Sequence, residues 1–197
     1  MRETSLSLLD ALTEKQQKLA TFNFSGSERY LWNYTPVKRH GLRLKDMNAK
    51  QRLYAFALMA SGLSVRGSRE ARQIIDLETT LGVWEGRQEV TTAFLRDPEL
   101  YYFSIFGDPA SKDPWAWRVG GHHMGLHFTV IDREIVSPLP FFFGVNPAEV
   151  RHGPEIGKRI LAQEEDLART VLGSLNAPMK ARAICDSVPP DDILTKN

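Results

Sequence analysis

Three histidines, His122, His123 and His127, fall within six residues of one another in the run Trp115 to Thr129. Neutral imidazole is the commonest protein ligand for zinc, copper and iron, so this is the one constellation in the chain with the chemistry of a metal site. The expectation is a divalent transition metal (zinc, copper or iron) with His122 and His123 as ligands. Arg118, Tyr102 and His127 are the candidate catalytic residues around it, with Arg118 able to bind a carboxylate or other anion. Tyr101 and Ser104 are further candidates from the neighbouring strand.

Geometry sets the terms of that expectation. Read as one long strand, strict alternation places Trp115, Trp117, His123, His127 and Thr129 on one face and His122, Met124, Leu126 and Phe128 on the other. His123 and His127 then stand roughly 13 Å apart at Cα, too far to share one ion. His122 and His123 converge only if Gly120-Gly121 introduces a bulge, a role that glycine suits. The competing reading has the histidines hydrogen-bonded within a mixed polar and aromatic sheet face, with Trp115 and Trp117 filling core beside them.

Other chemistries have less support. No serine sits in a strand-turn-helix elbow, and Cys185 is the single cysteine, so neither an intrachain disulfide nor a thiolate metal cluster can form within the chain. Gly62, Gly67, Gly82 and Gly86 fit neither the dinucleotide nor the nucleotide spacing. The acidic run Glu164-Glu165-Asp166 reads as a solvated helix face. The basic cluster Lys38, Arg39, His40, Arg43 and Lys45 reads as a solvated loop.

The elements that must carry these residues follow from periodicity and capping. Thr13 with Gln16, and Asn48 with Gln51, are written as capping boxes that open two helices. The second has Leu53, Phe56, Ala57 and Ala60 on one face and Gly62 at its stop. Tyr30, Trp32 and Tyr34 alternate as in a short strand, and Ile74, Leu77, Leu81 and Trp84 return to helical spacing. A short helix is expected over 87–95, ended by Asp97-Pro98. Tyr101–Phe106, Trp115–Ile131 and Glu134–Phe143 read as an antiparallel meander with a tight turn near Asp132-Arg133. Asn146-Pro147 reads as a cap with a first-turn proline. Ile156, Ile160, Leu161, Leu167, Val171 and Leu172 line a long helix, and Asn176 with Pro178 opens a final short one before an irregular tail.

The order predicts an α+β fold: a β-meander sheet packed against helices from both ends of the chain, as a single domain over 1–197. With 197 residues, 42% hydrophobic and 25% charged, the chain can bury a core unaided. A formal net charge of +1 provides no broad cationic field, which argues against nucleic acid and anionic membrane as partners. No apolar run suits a signal peptide or a membrane span, so the chain as it stands reads as cytoplasmic or as having lost its leader.

At Leu100–Gly107, Trp115–Arg118, Gly121–His123 and Phe128–Val130 the chain resembles a bacterial domain-of-unknown-function family, the one numbered 3500. The likeness extends to Arg43–Asp46, Asn146–Val150, Glu164–Ala168 and Asp192–Thr195. It implies no settled activity, cofactor or catalytic residue. It does imply a longer architecture of which this chain is the N-terminal part, with a further C-terminal portion that pairs a helix with a tyrosine-rich strand and more histidines. A site left incomplete here would be finished by that portion or by another chain.

Two functions are therefore carried forward. One is a metal-dependent enzyme, hydrolytic or oxidative, acting on a small molecule through the histidine-bearing strand. The other is a non-catalytic domain whose aromatic sheet face, through Trp115, Trp117, Tyr30 and Trp32, meets a small-molecule ligand or a second copy of the chain in a homo-oligomer.

Overall fold

The computed structural model describes residues 1–87 and 95–191. The chain divides into two compact units, Met1–Asn146 and Pro147–Asn197. The first begins with α1 (Arg2–Ala11) and α2 (Glu14–Ala20), continues through the short strands β1 (Thr21–Phe22) and β2 (Leu42–Arg43), and then forms α3 (Ala49–Ser61) and α4 (Val65–Glu85). Five strands follow: β3 (Tyr102–Phe106), β4 (Trp115–Gly121), β5 (Met124–Ile131), β6 (Glu134–Ser137) and β7 (Phe141–Phe143).

Both capping boxes form as the sequence predicts, Thr13 with Gln16 and Asn48 with Gln51. The two glutamines also bond to each other, Gln16 Nε2 to Gln51 Oε1 at 3.0 Å, and Gln51 reaches the carbonyl of Ala11 at 2.8 Å. One pair of side chains thus closes two helix ends and fixes α2 against α3. The buried face of α3 is Gln51, Ala55, Leu58 and Met59 rather than the predicted face, and Leu53 is exposed. α4 ends at Gly86, whose φ of 64° is the left-handed cap that glycine adopts without strain.

The seven-stranded sheet runs β1-β3-β4-β5-β6, with β2 also on β3 and β7 also on β5. The fold is α+β as expected, but the sheet is mixed: β1 lies parallel to β3, while the remaining pairs are antiparallel. Asp132 and Arg133, with φ of 46° and 72°, make the expected tight turn into β6. The second correction concerns the histidine strand, which is two strands. β4 and β5 form a hairpin closed by His122-His123, and Gly120-Gly121 pair regularly with Gly125 and Met124 without a bulge. The irregularity lies farther along, at Thr129/Val130.

That hairpin gives the sheet two unlike faces. Trp115, Trp117 and Val119 pair with Val130, Phe128 and Leu126, and Phe103 and Ile105 join them from β3. These side chains are almost wholly buried, and Trp117 stacks on Phe128 with centroids 4.6 Å apart. The end of α3 meets this apolar face at Gly62, where a Cβ would lie 2.8 Å from both the Trp117 and the Phe128 rings. The opposite face carries Ser104, Arg118 and His127 and is covered by the irregular segment 23–41.

The predicted strand at Tyr30–Tyr34 is not one. Ser27–Tyr30 is a 3-10 turn and the following residues are irregular. Its carbonyls are satisfied by side chains and a turn amide instead of a ladder: Leu31 by Arg118, Asn33 and Thr35 by Arg39, and Tyr34 by the His123 amide.

In the second unit α5 spans Ala162–Ser174 and α6 spans Ala177–Ala183, with Asn176 as its N-cap. The segment after Asn146-Pro147 is not helical. Leu167 and Val171 are exposed, and Arg159 binds Glu165 and Asp166 of the acidic run. The helix expected over 87–95 and the end of the tail fall largely outside the described residues.

A test of the tight hairpin follows from Gly121, where an added Cβ would lie 2.2 Å from the buried Tyr101 ring. The Tyr101 hydroxyl donates to the His122 carbonyl at 2.8 Å, so the ring has little room to retreat. Gly121→Ala is expected to cost about 2 kcal/mol or more by urea unfolding, with loss of the near-ultraviolet aromatic signal in proportion.

Candidate functional site

The polar sheet face is built by the two-residue turn. Because Gly121 pairs with Met124, Arg118 lies directly across from His127, and Ser104 is the partner of Arg118 on β3. Trp117 consequently faces away from His127, contrary to the alternation expected of one continuous strand. Two predicted catalytic residues, Arg118 and His127, thus stand side by side. Tyr102 shares their face but is buried opposite Gly120.

A cavity of about 270 Å³ opens above them, lined by Glu28, Trp32, Lys38, Arg39, Arg118 and His127 among others. Its floor is Gly120 and Gly125, and a Cβ on Gly125 would sit 3.2 Å from the Trp32 ring. Arg118 is a strut: it bonds Glu28 Oε1 at 2.6 Å and the carbonyls of Leu31 and Glu28 at 2.6 and 2.9 Å. Burial acts to raise the Glu28 carboxyl, but hydrogen bonds from His40 and Arg118 outweigh it and hold the group below its usual range. His127 is buried and neutral, pushed down to about 3 by burial and by the charges of Arg118 and Arg29. Its Nε2 has no hydrogen-bond partner among the described residues.

Arg39 is the unbalanced charge. Its guanidinium donates to the carbonyls of Val37, Asn33 and Thr35 at 2.6 Å each and of Gly121 at 3.0 Å. No carboxylate pairs with it among the described residues, and its buried Nε–H has no acceptor. Burial lowers its proton affinity to about 10, which still leaves it charged at neutral pH. It lines both this cavity and a neighbouring one of about 450 Å³. Lys38, beside it in sequence, lines both as well.

His122 and His123 do not form a metal centre. Their rings touch edge to face at 4.0 Å between centroids. The His122 Nδ1 lies 2.5 Å from Glu78 Oε1, and Arg96 Nη1 lies 3.2 Å from Nε2, so a guanidinium stands beside the ring where a metal would need further ligands. His123 has a φ of 56°, its amide and carbonyl are tied to Tyr34 and Gly144, and its buried Nδ1 has no partner among the described residues. Among the described residues no group of three or more His, Cys, Asp or Glu side chains could hold a metal ion. That finding overturns the expected histidine metal cluster and its zinc, copper or iron. Glu78 and His122, the ligand types at hand among the described residues, fall short of the set that such ions require.

The aromatic surface also differs from expectation. Trp115 and Trp117 are core, whereas Tyr30 is exposed and Trp32 joins Tyr34 and Phe142 in a cluster with centroids 5.6 to 6.4 Å apart. Glu28, Arg39, Glu78 and Arg96 are charged groups at the candidate site that were not among the predicted site residues. Arg39 had a signal in the basic run 38–45. The other three are ordinary charged residues in sequence, and burial alone distinguishes them.

Buried neutral histidines make stability depend on pH. Burial chiefly, with the charges of His122 and Arg96, holds His123 at about 3, and His127 is also held at about 3. In the unfolded chain both titrate near 6.5, so the unfolded state takes up protons that the native state refuses. Native stability is therefore full above pH 6.5 and declines as pH falls from 6.5 toward 3, by up to about 1.4 kcal/mol per pH unit per histidine. Urea midpoints between pH 7 and 5 should fall in the wild type, and His123→Gln with His127→Gln should flatten the slope.

Among the described residues, no helix is long and apolar enough to cross a membrane. No curated protein and no solved structure matches this chain. Residues 1–197 match the model of a family described as a protein of unknown function, DUF3500. The chain belongs to that family.

Proposed function

We propose that this chain is a ligand-binding domain that holds a small anionic molecule at Arg39, on the polar face of the sheet. The observation that carries the reading is a guanidinium fixed by four backbone carbonyls beside two cavities, with neither a carboxylate partner nor an acceptor for its Nε–H among the described residues. Carbonyl dipoles orient the guanidinium without cancelling its charge, and an incoming carboxylate or phosphate in the adjoining cavity would supply the missing counter-charge. The cation is also preorganised, so little side-chain entropy is lost on binding.

The surroundings favour a small molecule over a polymer. The cavity holds one such ligand, Lys38 adds a second positive charge at its mouth, and Trp32 offers an apolar wall for the remainder. Arg118 and Glu28 neutralise each other and serve as scaffold. His127, neutral and with a free ring nitrogen, offers a hydrogen bond without adding charge.

Titration with sodium acetate and with sodium phosphate, at ionic strength held constant with chloride, tests the reading. The thermal midpoint of the wild type should rise saturably with at least one of the two anions. Lys38→Ala, which removes an exposed side chain, should weaken the effect, and Arg39→Met should abolish it. An equal response in wild type and Arg39→Met, or no response in the wild type, would contradict it.

A further inference from the structure

A third recess, of about 500 Å³, shares Lys38 and Arg39 with the two cavities described above and is lined also by Lys18, Leu19 and Phe22. Its one acid among the described residues is Asp46, which Arg43 already holds through Nε and Nη2 at 2.7 and 2.9 Å. His40 is likewise engaged, its Nδ1 2.7 Å from Glu28 Oε2. Lys18, Lys38 and Arg39 remain: three cations around one recess, with no carboxylate paired to any of them among the described residues.

This surplus is local. The chain carries 25 basic and 24 acidic residues, a formal net charge of +1. Three uncompensated positive charges at one place are therefore not the share that a basic protein spreads over its whole surface. A recess of this size is comparable in width with the screening length, about 8 Å at physiological ionic strength, so the three charges act together on whatever enters. Coulombic attraction falls off slowly with distance and needs no fixed donor direction, so the exposed lysines contribute to it alongside the oriented guanidinium. A single carboxylate offsets one of the three charges and leaves two.

The cations also reach the recess from two separate elements, Lys18 from the last turn of α2 and Lys38 with Arg39 from the irregular segment before β2. Leu19 and Phe22 add an apolar wall. Two acid groups on a short carbon chain meet both sets of cations, which a compact ion with one centre of charge does not. We infer that the anion is a small dicarboxylate, with one acid group on Arg39 and Lys38, the second toward Lys18, and the carbon chain against Leu19 and Phe22. The inference rests on the anion-binding reading above and adds the ligand's second charged group.

The experiment compares succinate with butyrate, which has the same number of carbons and one charge fewer, on the full chain by calorimetry at pH 7.5 and at ionic strength held constant with chloride. Succinate should bind at least about fivefold more tightly, the effect of one further charge pair in a water-lined recess. Lys18→Ala, which removes an exposed side chain, should erase the preference while butyrate binding persists, and Lys18→Arg should keep it. Lys15→Ala removes the same charge from α2 at a residue that lines none of the three recesses, and should leave the preference intact. Equal affinity for the two acids, a preference that survives in Lys18→Ala, or one lost as fully in Lys15→Ala overturns the dicarboxylate assignment and leaves the anion reading standing. Failure of both acids to bind removes the anion reading, and this inference with it.

Discussion

A two-residue turn decides what faces what in this protein. His122 and His123 close β4 onto β5 so that Arg118 meets His127 and Trp117 meets Phe128. One residue more or fewer in the turn would exchange the faces of β5 and drive Phe128, Leu126 and Val130 toward the polar side. The turn is accordingly held on several sides: the Tyr101 hydroxyl on the His122 carbonyl, the Tyr34 carbonyl on the His123 amide, and the Gly144 amide on the His123 carbonyl. His123 adopts a left-handed φ that few side chains take up, and the three bonds maintain it.

The polar face that results poses a second problem, how to keep three arginines in partly dry surroundings, and each is handled differently. Arg118 is neutralised by Glu28, and Arg96 by Glu85 while its Nη1 lies 3.2 Å from His122 Nε2. Among the described residues Arg39 is satisfied only by carbonyl dipoles, which orient a charge without cancelling it. A wholly structural arginine would be expected to resemble the first two. The third is the one that leaves attraction unspent, and it stands where two cavities meet.

Much of the fold was legible because it is written locally. Capping boxes, the helical period of α4, the Asp132-Arg133 turn and the β-rich middle all depend on residues close in sequence. The errors share one physical origin. Tyr30–Tyr34 has strand periodicity but pairs with no strand, and side chains from residues 39 and 118 and the His123 amide take its carbonyls. Trp115–Ile131 has the composition of one strand, and nothing in Gly120-Gly121-His122-His123 announces a hairpin, since His-His lacks the usual Asn-Gly turn chemistry. Once the turn was missed, every face assignment beyond it was inverted. The histidines drew attention by type, but their neighbours Glu78 and Arg96, distant in sequence, decide that they hold a hydrogen-bonded network rather than a metal.

The account stands on Arg39 being a charged, oriented cation with no carboxylate partner among the described residues. The most direct measurement is the ¹⁵N–¹H correlation of arginine Nε–Hε groups, recorded with and without a saturating small carboxylate. The account predicts that the Arg39 Hε resonance moves downfield and becomes protected from exchange while those of Arg118 and Arg96 stay in place. An Arg39 resonance that does not change, or a response confined to Arg118, would contradict it.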